Sequence, residues 1–139
     1  MHAEEDEAEE SPLVLDAYER ATAEDDAGRE KMLMEALTEL TSEGGNVDAA
    51  FDCAYTLVGV LKAMGLAALS KHQVVPTLVA VLENKKSKCK ENVLLCVQLL
   101  FQNLSSTFMP YCFPLVCYNS LVAPTAKLLL AREYRILRV

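Results

Sequence analysis

Tryptophan is absent, and glycine and proline occur only five times each in 139 residues. A β-sandwich needs turn signals every ~8–12 residues, so this shortage argues against an all-β design and favours helices. Histidine is nearly missing too. His2 and His72 stand at no ligand spacing to the five cysteines, and no two cysteines form a CxxC pair, so no metal site is expected. The sequence holds no Gly-rich phosphate loop, HExxH, GxSxG or paired-carboxylate constellation. No cofactor is implied, and the expectation is that the chain is not an enzyme.

The cysteines Cys53, Cys89, Cys96, Cys112 and Cys117 are odd in number, and four of them fall within apolar helical patterns. Free thiols there behave as small hydrophobes. The first ten residues are mostly acidic and predict no signal peptide. An intracellular, reducing compartment, the cytoplasm, is the natural expectation. Cys89 lies between Lys88 and Lys90, which would favour a reactive thiolate. A helix-edge cysteine half covered by the fold is the preferred reading.

What is present is apolar and unevenly charged. With 52% hydrophobic residues, a chain of this length can bury a usable core. The net charge of −7 divides sharply, because residues 1–52 carry 17 acidic and 3 basic side chains and the remainder 3 and 10. Residues 1–10 read as an acidic disordered tail. The overall acidity argues against a nucleic-acid partner. No charged residue occurs between Asn92 and Ala126. Spanning a bilayer needs ~20 predominantly apolar residues, and Gln98, Gln102, Asn103, Pro110, Pro114 and Asn119 cut this run into shorter pieces. Buried helices explain it better than a membrane.

Helical periodicity runs through residues 11–139. Ser11-Pro12 marks a helix start, followed by apolar positions Leu13, Val14, Ala17 and Tyr18. Arg29 to Thr41 repeats the pattern with Met32, Leu33, Ala36, Leu37 and Leu40, and Gly44-Gly45 reads as a helix stop. Val47 to Met64 is apolar on most sides, Phe51 and Tyr55 included, and is expected to be buried and to end at Gly65. A brief helical turn, Leu66 to Lys71, precedes Val74 to Ser105, the hairpin around which the chain is expected to be organised. Beyond it, helices are expected around Pro114 to Val122 and from Ala123 or Pro124 to about Leu137.

These segments repeat. Leu33, Ala36, Leu37 and Leu40 superpose on Val75, Leu78, Val79 and Leu82 at an offset of 42. Ala54, Leu57, Val60 and Leu61 match Leu94, Val97, Leu100 and Phe101 at an offset of 40. A helical pair cannot cover its own apolar face, so recurrence at this period predicts a solenoid. The stretch VVPTLVAVLENKKSKCKENVLLCVQLLFQNLS resembles the armadillo/HEAT repeat family: an apolar-apolar-proline helix start, a polar turn, and a longer helix ending near Asn-Leu. The resemblance implies an all-α solenoid of about two and a half helical hairpins, at residues 29–64, 66–105 and 107–138. The groove-lining Trp and Asn positions of that family hold Tyr55 and Gly59 in one copy and Leu95 and Leu99 in the next, so a basic-peptide groove is not expected.

The expected function is therefore a protein–protein interaction scaffold or adaptor. The alternative is a helical accessory subunit of a large assembly, possibly at a membrane. Candidate partner-binding residues are Tyr55, the turn lysines Lys85, Lys86, Lys88 and Lys90, and the polar positions Gln98, Gln102 and Asn103. Another protein, presenting an acidic surface or a helix, is the expected partner. Ile136-Leu137-Arg138-Val139 lacks a polar capping repeat, which predicts self-association through the C-terminal helices or dependence on that partner.

Overall fold

The computed structural model describes residues 11–119, and among these the chain is all-helical, with six α-helices, one 3-10 helix and no strand. Helix α1 (Pro12–Thr22) starts with a first-turn proline, where the missing N–H costs nothing, and buries Val14, Ala17 and Ala21 along one stripe. Helix α2 (Asp26–Leu40) begins three residues earlier than the apolar pattern suggests. The cause is Asp25, whose carboxylate accepts from the Gly28 N–H at 2.8 Å and caps the first turn. Gly28 is thus inside the helix rather than before it. Arg29 reaches back from α2 to the carbonyls of Ala21 and Glu24, satisfying groups at and beyond the end of α1.

Helix α2 also ends differently from expectation. Its last turn is capped at Thr41, whose hydroxyl donates to the Leu37 carbonyl at 2.8 Å. Among the described glycines only Gly65 has positive φ, so Gly44-Gly45 forms a loop and not a left-handed stop. Asn46 then caps α3 (Val47–Met64), accepting from the Asp48 and Ala49 N–H groups at 2.8 and 3.1 Å. Gly65, at φ 92°, terminates α3 in a conformation that a side chain would oppose.

Helix α3 is the hub. It packs against α1, α2, α6 and the short α4 (Leu66–Lys71), and its Leu57, Val58, Val60 and Leu61 are fully buried. Each such side chain contributes roughly 1.5–3 kcal/mol of burial. The organising element is therefore Val47–Met64, while Val74 to Ser105 forms the adjoining hairpin. That hairpin comprises α5 (Val74–Glu83), with Pro76 in its first turn, and α6 (Lys90–Asn103). Gln73, in the left-handed region at φ 53°, makes the sharp corner between α4 and α5.

After α6 the chain forms a 3-10 helix, Met109–Tyr118, where an α-helix from about Pro114 was expected. The two prolines explain the difference. Pro110 and Pro114 stand four apart, so the α-type bond from residue 114 to residue 110 has no donor. Cys112, Leu115 and Val116 still reach the core. The expected acidic tail and the helices beyond residue 119 lie outside the described residues.

Candidate functional site

The lysine turn is held from below. Glu43, in the loop before α3, receives the Ser87 hydroxyl at 2.6 Å and the Lys88 backbone N–H at 2.8 Å. Asn84 accepts from the Lys86 N–H at 3.0 Å, closing the turn locally. Asn92, in the first turn of α6, donates to the Val47 carbonyl at 3.4 Å. The two inter-helix loops, some 45 residues apart in sequence, are thus joined side by side.

That fixed backbone leaves the cationic ends outside. Lys85, Lys86 and Lys88 are exposed and Lys90 is half-buried. None of the four makes an ion pair with a described residue, whereas Arg20, Arg29 and Lys71 each lie within 3.0 Å of a carboxylate. Glu43 is committed to Lys88 N–H and Ser87, and those hydrogen bonds hold its carboxyl below the usual range.

Beside the turn, α3 begins with an exposed apolar stripe. Val47 is 70% and Phe51 43% exposed, one turn apart, and Tyr55 follows on the same face. The Phe51 and Tyr55 rings meet edge to face, with centroids 5.4 Å apart. Phe51 is therefore not part of a uniformly buried helix, and Tyr55 is only half-buried against the core. The i, i+4, i+8 spacing of these three, flanked by Asp48 and Asp52, was the signal available in the sequence.

The polar positions of α6 separate. Gln102 is exposed and Gln98 half-buried. Asn103 is turned inward: its Oδ1 accepts from the Ser11 N–H at 3.1 Å, and its Nδ2 donates to the Leu99 carbonyl at 2.9 Å. Buried and doubly engaged, Asn103 ties the entry of α1 to the end of α6 and is not available to a partner. Gly59 is likewise covered, by α1, and Leu99 is buried.

Burial disfavours the thiolate at four of the five cysteines. Cys89 is buried, and burial first, then the neighbouring Glu43, push its thiol up and not down as a lysine-flanked cysteine would suggest. Desolvation also raises Cys53 and Cys96, and takes Cys112 to about 12. Only Cys117 is exposed, and all five are free.

A second charged cluster lines an open cleft of about 550 Å³ between α2, α3 and α4. There Glu30 meets Lys71 at 2.8 Å and stands 3.1 Å from His72 Nε2. The Lys71 ammonium lowers the Glu30 carboxyl, and Glu30 raises Lys71 in return. Sequence reading missed this cluster because its members are some 40 residues apart.

Among the described residues no helix is long and apolar enough to cross a membrane. Compared with known proteins, the chain matches no family model, no curated protein and no solved structure.

Proposed function

We propose that the chain is a non-enzymatic, cytoplasmic scaffold that presents a surface to another protein, built on stacked hairpins of the armadillo/HEAT type. The observation that carries this reading is the apolar stripe Val47–Phe51–Tyr55, open to solvent at the junction of two hairpins. Large apolar side chains clustered on one exposed face are characteristic of interaction sites. The side-by-side loops and the packing of α3 against α6 support a stacked repeat. The covered Gly59 and buried Leu99 are consistent with a surface that lies elsewhere than a peptide groove between those positions.

Site-specific photocrosslinking in cells tests the reading. A benzophenone side chain at Phe51 is expected to give discrete protein adducts, and the same group at exposed Glu19 to give none. Absence of adducts at Phe51, or equal labelling at both positions, would overturn the proposal.

A further inference from the structure

We infer that the stripe Val47–Phe51–Tyr55 and the turn Lys85–Lys90 together form one docking surface for an amphipathic helix that is acidic at one end. This rests on the reading of the chain as a protein-binding scaffold and specifies the chemistry of its partner. Continuity comes first. The Glu43 clamp holds the lysine turn beside the start of α3, and the bond from Asn92 to the Val47 carbonyl joins the first turn of α6, which Lys90 opens, to the stripe's first residue.

Shape comes second. From Val47 to Tyr55 the stripe rises about 12 Å, close to two helical turns, which suits apolar anchors at i, i+4 and i+7 of a docked helix. Charge supplies the polarity. Four lysines that make no ion pair with a described residue gather at the Val47 end, against the Glu43 carboxylate that clamps their turn, so a docked helix would set its acidic end there. Along the stripe the neighbouring side chains are Asp48 and Asp52 on α3, with exposed Glu91 at the start of α6. Those carboxylates disfavour an anionic bilayer, which would press on the whole face. A helix lying along the stripe meets the lysines at one end only.

The test uses the full chain and fluorescently labelled helical peptides of roughly 18 residues with one common apolar face, bearing either glutamates or lysines at one end. Anisotropy at about 50 mM salt is expected to show the glutamate peptide binding at least ~10-fold more tightly, with the advantage shrinking at about 300 mM. The combined variant Lys85→Gln, Lys86→Gln, Lys88→Gln, Lys90→Gln should reduce that gap below about twofold while residual binding persists. Phe51→Ser should weaken both peptides.

Equal affinities for the two peptides, no binding of either, or preference for phosphatidylserine vesicles over the glutamate peptide would each overturn the inference. The comparison of peptides on the unaltered chain decides the matter even if a variant folds poorly. Crosslinks at Phe51 without an acidic preference would leave the scaffold reading standing and remove only this one.

Discussion

A methyl group added at Gly59 would stand 2.5 Å from the Ala17 Cβ, 2.7 Å from the Val14 carbonyl oxygen and 2.8 Å from the Tyr18 nitrogen. Two of these are backbone atoms, so α1 as a whole would have to move. Glycine to alanine within a helix ordinarily gains about 0.5–1 kcal/mol. Overpacking costs about 1–3 kcal/mol and should win here. Gly59→Ala is therefore expected to destabilise by about 1–2 kcal/mol in urea unfolding, while Gly44→Ala, with nothing within 4 Å, should be nearly neutral. Equal effects at the two sites would show that the α1–α3 contact is looser than described. In the sequence Gly59 is simply one small residue among apolar ones. Its role depends on a helix some 40 residues away, and no local pattern encodes that.

At the scale of elements, periodicity located the helices well wherever one face was continuously apolar, as in α3, α5 and α6. Ends were less legible, because caps depend on single polar atoms. Asp25 extends α2 backwards, and Thr41 closes it before the glycines. Exposure was hardest to read: Phe51 and Leu57 are both apolar residues of one helix, and only packing distinguishes them. The joint between the hairpins gives a second prediction. Glu43 is ionised in the clamp and its carboxyl is lowered from the ordinary value of 4.5, chiefly by the Lys88 N–H and then the Ser87 hydroxyl. A depressed folded-state carboxyl stabilises fully above its unfolded value and loses that contribution as pH falls through the folded one. Glu43→Gln should therefore reduce thermal stability at pH 7 and show less loss than the parent as pH falls below about 4.5. Differential scanning calorimetry at pH 7 and about pH 3.5 checks this. Parallel acid profiles for the two proteins would remove Glu43 from the joint.

For the molecule as a whole, the question is whether α1 is an accessory strap or part of the cooperative unit. Three observations favour the second. Val14, Ala17 and Ala21 are fully buried, Gly59 admits close approach of the α1 backbone, and Asn103 joins Ser11 to the far end of α6 across 92 residues of sequence. Asn103 looked like a surface polar position because its neighbour Gln102 is one. The fold instead uses it to close the structure. Asn103→Ala removes the acceptor of the part-buried Ser11 N–H and the donor to Leu99, at a cost of about 1–3 kcal/mol. With α1 inside the cooperative unit, that loss should appear as a single unfolding transition shifted downwards by roughly 3–8 °C. Amide exchange in α1 and α6 should then accelerate by similar factors. Rapid exchange confined to α1, with an unchanged midpoint for the remaining helices, would instead identify α1 as a strap that opens alone. The face of α3 around Gly59, which α1 covers, would then gain a second, uncovered state.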